Sequence, residues 1–368
     1  MKGIDFRPAN NCCLKSNDSW QKHSIYKKPI QFIHLQSQNV KPCPSIVAQF
    51  SKNPSTPVTS PPLVVVGSAN ADIYVEIDRL PVEGETISAK NGQTLAGGKG
   101  ANQAACGGKL SYPTYFLGQV GEDAHGKLIF DAMSNCGVHL DYLRHVNDAP
   151  TGHAVVMLQS DGQNSIIIVG GANMSSWPEK LSDEDLVVVR NAGILLLQRE
   201  IPDSVNIQVA KAAKGAGVPV ILDAGGMDTP IHSELLKVVD IFSPNESELG
   251  RITGMPTENF EQLGHAVKQL HEMGVRQVLV KLGIKGSVLF EEGQEPIRQS
   301  VVSVPRVLDT TGAGDTFTAA FAVAQVEGKK KEECLRFAAA AASLCIQVKG
   351  AIPSMPDRTS VLNLLHCV

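Results

Sequence analysis

From residue 63 to the C-terminus, short runs of apolar and β-branched residues alternate with stretches whose apolar positions recur at helical spacing. The runs 63–67, 114–117, 194–197, 218–223, 240–242 and 277–281 read as strands, and 203–215, 258–273 and 331–349 read as helices. This alternation predicts an α/β three-layer sandwich, a mainly parallel central sheet with helices on both faces. Two stretches break it. Residues 73–77 with 86–95, and 153–159 with 165–169, read as strands joined by turns containing Gly or Pro. Extra strands outside a parallel sheet predict a small β-sheet lid. No internal repeat is visible.

Before residue 63 the periodicity is missing and the composition changes. Residues 1–62 hold seven Lys and one Arg, only Asp5 and Asp18 as acids, no Glu, eight Ser, and a Pro-rich run over 54–62. Such a segment buries too little surface to fold and matches the composition of an organelle transit peptide. Its Lys-rich character favours a plastid over a mitochondrion; a disordered tail on a cytosolic protein is the alternative. The expected division is a disordered transit peptide and linker over 1–62 and one domain over 63–368. That remainder carries 25 basic and 35 acidic residues, which argues against a nucleic-acid footprint. No apolar run approaches the ~18 residues of a membrane span, so a soluble protein is expected.

Cysteine and histidine add little. Cys12, Cys13 and Cys43 fall in the leading segment, while Cys106, Cys136, Cys334, Cys345 and Cys367 are isolated and odd in number. They read as small hydrophobes in a reducing compartment rather than a disulfide framework. The ten histidines are scattered, and no zinc site is implied.

Two glycine-rich stretches carry candidate chemistry. A Walker A loop needs Gly-Lys followed by Ser or Thr, but Leu110 follows Gly108-Lys109 and Gly100 follows Gly98-Lys99. The dinucleotide fingerprint also fails, because Ala101, Asn102 and Gln103 follow Gly100 where its third glycine should stand. The second stretch, D-T-T-G-A-G-D over 309–315, follows the strand-like 301–307 and leads into the helical 316–326. Small residues at a helix start let backbone N–H groups converge where the helix dipole is positive, an anion hole suited to a transferring phosphoryl group. Asp315 among these donors competes with the anion. It reads as a general base beside an attacking hydroxyl, or as a helix N-cap.

With these residues in view, the chain resembles the PfkB or ribokinase family of carbohydrate kinases. Its D-T-x-G-A-G-D is similar to the family's C-terminal signature, and G-G-K-G-A-N-Q-A over 97–104 to the second signature. Together with G-S-A-N-A-D over 67–72, the latter resembles the ribokinase branch more than the family at large. Asn245 and Glu248 fit the family's N-x-x-E, and Leu282 to Gly286 its L-G-x-x-G. The matches run in family order from about residue 63 to 356.

The resemblance implies ATP-dependent phosphorylation of D-ribose at O5, with Asp315 taking the hydroxyl proton. The implied sugar contacts are Asn70, Ala71, Asp72, Gly98, Lys99, Gly100, Ala101, Asn102 and Glu200, together with Asp315. ATP would be bound by Asn245, Lys281, Leu282, Gly283, Ile284, Lys285 and Gly286, with Gly312, Ala313 and Gly314 holding the β- and γ-phosphates. Mg²⁺ would be organised by Glu248, through water. A K⁺ site is implied at Asp309, Thr311, Cys345, Val348, Gly350 and Ser354, and a homodimer paired through the lid. Where some bacterial members carry a histidine near adenine, this chain has the small run 338–342, which leaves the base preference open. Another family kinase acting on fructose or adenosine, and a non-catalytic scaffold, are the competing readings.

Overall fold

The structure is a computed structural model that describes residues 60–160 and 163–367. All but the last three residues of the expected targeting segment lie outside the described residues. Bonding to the body begins ahead of residue 63: the Pro61 carbonyl accepts from the Tyr112 hydroxyl at 2.8 Å, and the Pro62 carbonyl from the Gly193 amide at 2.8 Å.

The strands are β1 (Leu63–Val66), β2 (Asn70–Ile77), β3 (Asn91–Gly97), β4 (Thr114–Gly121), β5 (His139–Val146), β6 (Gly152–Gln159), β7 (Asn164–Val169), β8 (Ile194–Arg199), β9 (Val220–Gly226), β10 (Ile241–Ser243), β11 (Gln277–Lys281), β12 (Ser287–Glu291) and β13 (Ile297–Gln299). The helices are α1 (Lys99–Lys109), α2 (Ala124–Asn135), α3 (Asp183–Arg190), α4 (Asp203–Gly215), α5 (Ser233–Leu236), α6 (Glu246–Thr253), α7 (Phe260–Glu272), α8 (Ala313–Val326), α9 (Lys331–Cys345), α10 (Ala351–Ser354) and α11 (Arg358–His366).

Nine strands form the central sheet in the order β13-β12-β11-β10-β9-β8-β1-β4-β5. Pairing is parallel from β5 to β11 and antiparallel at β11–β12 and β12–β13. The two-residue period of a strand divides the core. Leu63, Val65, Ile194, Leu196 and Ile221 enter one apolar layer with α1, α2, α8 and α9, while Val64, Val66, Leu195, Leu197 and Leu222 enter the other with α3, α4 and α7. Strands buried on both faces must be apolar at consecutive positions, which is why their runs are continuous in the sequence. The expected three-layer architecture is therefore present.

A second sheet, β3-β2-β6-β7, forms the lid. It begins earlier than its apolar pattern suggests, at Asn70 rather than at residue 73, and its second strand is Asn91–Gly97 rather than 86–95. The strand expected over 301–307 does not form. Pro305 cannot donate to a ladder, and Val301 and Val307 stand exposed. The helix expected over 331–349 stops at Cys345, ahead of Gly350, whose φ of 80° no helix accepts.

Helix α1 lies unusually close to the sheet because its sequence is small. A Cβ on Gly107 would stand 2.6 Å from the Leu63 and Thr114 side chains, and one on Gly100 2.7 Å from the Ser68 backbone. This close approach brings Lys99, Asn102 and Gln103 to the C-terminal ends of the central strands.

Candidate active site

Apolar strand runs end in polar residues along one edge of the sheet. Ser68 and Asn70 beyond β1, Gln198 and Arg199 ending β8, Asp223 in β9 and Ser243 ending β10 are all buried. Burying polar groups costs free energy unless each finds a partner. Arg199 is wholly satisfied structurally, donating to Asp203 and to the carbonyls of Met227, Thr229 and Pro230. Of the others, Asn70 lines a cleft of about 680 Å³ under the lid, at the strand ends where open α/β sheets bind ligands.

Asn70, Asp72, Gly98, Lys99, Asn102, Glu200 and Asp315 line this cleft, so most of the expected sugar contacts are brought together. Ala71, Gly100 and Ala101 are not among the lining residues: both alanines are fully buried, and Gly100 lies against the Ser68 backbone. Asn70 is oriented by Asn173, whose Nδ2 donates to its Oδ1 at 2.7 Å. Glu200 accepts from the Ser68 hydroxyl at 2.5 Å and from the Lys99 amide at 3.1 Å.

Asp315 sits in the first turn of α8, 5% exposed, and does not cap the helix, since the N-cap position belongs to Gly312. Its two carboxylate oxygens accept from the Asn102 amide at 2.8 Å and the Gln103 amide at 3.3 Å. Burial pushes its carboxyl above the usual range, opposed by the Lys99 ammonium and reinforced by Asp223. Burial, then Glu200, then Asp315, likewise raise Asp72 to about 7. The Lys99 ammonium is held well above the usual lysine range, chiefly by Asp315. Asp72, Glu200 and Asp315 thus gather around Lys99, and the site is electrostatically crowded before any substrate enters.

A second, apolar cleft of about 400 Å³ adjoins the first at Val307 and Thr310. It is lined by Gly283, Ile284, Gly286, Ala313, Phe317, Ala339 and Ala342 among others. Between the clefts, Gly312 takes φ of 77° and starts α8, whose first-turn amides have no intrahelical partner. Lys281 ends β11 and donates to Asp223 at 2.6 Å; its ammonium lies 3.9 Å from where a Cβ on Gly314 would stand. Of the remaining expected nucleotide contacts, Leu282 is buried in the core and Lys285 is engaged on the surface with Glu246. Asn245 and Glu248 form a reciprocal cap on α6, at 2.7 and 2.8 Å.

The six positions expected at a monovalent cation are gathered beside α8. Asp309 accepts from the Thr311 and Gly350 amides at 2.9 and 2.8 Å. The Cys345 thiol meets the Ser354 hydroxyl at 3.0 Å and the Thr311 carbonyl at 3.7 Å; Val348 is half-exposed next to them. Burial would raise the Asp309 carboxyl, but the Gly350 and Thr311 amides, the Thr311 hydroxyl and Lys349 together hold it below the usual range.

Sequence reasoning missed Asp223, Gln103, Gln198 and Asn173. A carboxylate or amide that closes an unbroken apolar run, as in V-I-L-D and I-L-L-L-Q, is a legible signal of a strand end facing a site. Nothing local marks Asn173.

The sequence profile of the pfkB family of carbohydrate kinases matches residues 61–358. The chain is 75% identical over 319 residues to a ribokinase of Arabidopsis thaliana, covering 86% of this chain and 84% of that one. The solved structure of Arabidopsis thaliana ribokinase complexed with ribose and ATP superposes with a TM-score of 0.82 at 77% identity, over 83% of this chain and 99% of that one. The Thermotoga maritima ribokinase superposes with a TM-score of 0.74 at 34% identity, over the same shares of the two chains.

Proposed function

The chain belongs to the pfkB family of carbohydrate kinases, and on that footing we propose that it is a ribokinase, transferring the γ-phosphoryl group of ATP to O5 of D-ribose. The observation that carries this reading is Asp315, a buried carboxylate at the helix start where the polar cleft meets the apolar one. A sugar in the polar cleft meets acceptors and donors suited to vicinal hydroxyls in Asn70, Asp72, Lys99 and Glu200. Asn102 also lines that space, and its Oδ1 is buried with no partner. The raised Asp315 carboxyl is suited to receive the proton from the attacking hydroxyl. The Gly314 and Asp315 amides at the start of α8, past the Ala313 amide that donates to the Thr310 carbonyl, are suited to the transferring phosphoryl group, and the apolar cleft accommodates the base of ATP.

A kinase of this kind requires a divalent ion, usually Mg²⁺. Among the described residues no group of three His, Cys, Asp or Glu could hold an ion. Glu248 accepts from the Asn245 amide, and such a donor set fits an ion that keeps its water shell, with Glu248 reaching it through water. When bound with ATP, the ion neutralises phosphate charge.

The test is phosphoryl transfer from ATP with Mg²⁺ by the full-length chain, across ribose, 2-deoxyribose, fructose and adenosine, in K⁺ and in tetramethylammonium buffers. Preference for ribose is expected; preference for another acceptor reassigns the substrate, and no turnover on any favours a scaffold. We expect higher activity in K⁺, because Asp309 and the carbonyls around Cys345 and Gly350 fit a weakly hydrated monovalent ion. Equal rates in the two buffers would remove that site from the reading.

Asp72 gives a pH signature. Its folded pKa of about 7 lies above its unfolded value of 3.8, so the folded protein takes up a proton. The stability this contributes is complete below the unfolded pKa and lost as pH rises towards 7. The ligand-free protein is therefore expected to gain Tm between pH 8 and pH 6, and Asp72→Asn to flatten the gain while raising Tm at pH 8 by roughly 2–4 °C, about 1 kcal/mol for a chain of this size. Ribose affinity should move oppositely, weakening as pH falls through 7. An Asp72→Asn protein with unchanged pH dependence would sink this assignment.

The lid supports a homodimer. Its edge strand β7 exposes Ile166 and Ile168 over the cleft and Ile167 on the other face, an apolar edge that pairing with a second copy would cover. A sedimentation mass equal to one chain would refute it. The Lys- and Ser-rich composition of residues 1–62 supports a plastid address, testable by the location of a fluorescent fusion to those residues.

A further inference from the structure

Behind the cleft, two buried glutamines connect β8 to α8 through α1. The Gln198 amide donates to the Gln103 Oε1 at 2.7 Å, and the Gln103 amide donates to the Asp315 Oδ1 at 3.3 Å. Gln103 and Gln198 are both fully buried, and neither lines the cleft. At its far end the row is held by packing, since the Gln198 Oε1 has no hydrogen-bond partner and the bond there is to the Gln198 backbone. The Asn206 amide donates to the Gln198 carbonyl at 2.9 Å, and the Gln198 Oε1 fills the space a Cβ on Gly67 would need, 1.9 Å away.

An ionised carboxylate only accepts, so Gln103 must present its NH₂ to Asp315 and its oxygen to Gln198. Reversed, its oxygen would face the carboxylate across a dry contact, which costs a buried hydrogen bond and adds repulsion. The neighbouring Asn102 takes the other oxygen at 2.8 Å. Two successive residues of one helix therefore hold one oxygen each, and rotation of the carboxyl group breaks both bonds. Asn102 lines the cleft and meets substrate; Gln103 acts only through Asp315.

We propose that Gln103, aligned by Gln198, is the positioning residue that fixes the Asp315 carboxylate in the orientation required to receive the hydroxyl proton. The inference rests on Asp315 as the base of the proposed kinase. The charged and titratable groups facing Asp315 are Lys99 and Cys106 on α1, Asp72 on β2, Glu200 after β8, Asp223 on β9 and Cys345 on α9. None is changed by substitution at Gln103, so a change in titration reports the lost amide.

The test is steady-state kinetics and a pH–kcat profile for Gln103→Met, which keeps length and volume, Gln198→Met and the double variant. Gln103→Met is expected to lower kcat about 10- to 100-fold, the effect of one hydrogen bond to a charged group. KM for ribose and ATP should change little, and the acid limb of kcat should move to higher pH, because the lost donor favoured the charged carboxylate. Gln198→Met should show a smaller shift of the same kind, and the double variant should match Gln103→Met alone, since Gln198 acts through Gln103. An unchanged kcat in Gln103→Met, or a fall without movement of the acid limb, overturns the proposal; if Gln103→Met does not fold, Gln198→Met decides in the same way. Asp315→Asn separates the two readings: full turnover in that variant fails the base itself, whereas an inactive Asp315→Asn beside a normal Gln103→Met fails only the positioning role.

Discussion

Replacing Asp315 with alanine is expected to lower kcat by roughly 10²- to 10⁴-fold without loss of the fold. The kinetic effect follows from position: Asp315 lies where the polar cleft meets the start of α8, with each oxygen held by an amide. The structural tolerance follows from charge. Asp72, Glu200 and Asp223 lie near Asp315 with Lys99 as counter-charge, and burial raises the Asp315 carboxyl despite Lys99. Removing one acid relieves that crowding, so Tm should hold or rise. Asp315→Asn isolates the proton transfer, since the amide keeps the shape and cannot accept a proton at neutral pH. Rates for both variants beside thermal unfolding check the assignment, and a kcat loss below tenfold would give the base to another residue.

Lys281→Met is expected to destabilise the protein by about 3–5 kcal/mol, the usual cost of stranding a buried charge. Asp223 is 1% exposed and accepts from Lys281 at 2.6 Å, from Thr318 at 3.1 Å and from the Gly225 amide at 3.0 Å. Burial works against its charge, and Lys281 and then Lys99 hold its carboxyl below the usual range. A depressed carboxyl contributes stability above its unfolded pKa, so this contribution is lost only as pH falls below about 4. The double variant Asp223→Asn/Lys281→Met leaves no charge uncompensated and should recover much of the stability. Activity should not recover with it, because Lys281 also lies beside Gly314 at the phosphate end of the site. Denaturant unfolding with kcat and KM for ATP separates the outcomes; joint recovery of stability and rate would make the pair purely structural.

Six of the nine central strands, both glycine-rich loops and most of the expected sugar-side lining of the cleft were legible in the chain, while β5, β12 and β13 were not. A strand buried on both faces must be apolar at every position, and a phosphate-binding turn must be small, so both requirements leave local marks. Where a local mark was ambiguous, the reading erred. The valines of 301–307 resemble a strand, but Pro305 cannot donate to a ladder and the segment is irregular. The lid strand β2 begins in polar residues, Asn70 and Asp72, because one of its faces looks into the cleft rather than into a core.

What the sequence determined by itself was therefore the doubly buried strands, the longest helices and the two glycine-rich loops that stand at the cleft. The tertiary structure alone decided which distant side chains meet: Gln103 and Asp315 across 212 positions, Gln198 and Gln103 across 95, Lys281 and Asp223 across 58, Asn173 and Asn70 across 103. Periodicity records what a residue's own strand or helix requires. These contacts depend instead on sheet order, which seats β1 between β8 and β4 and lays α1 close against them, and no local pattern encodes that order.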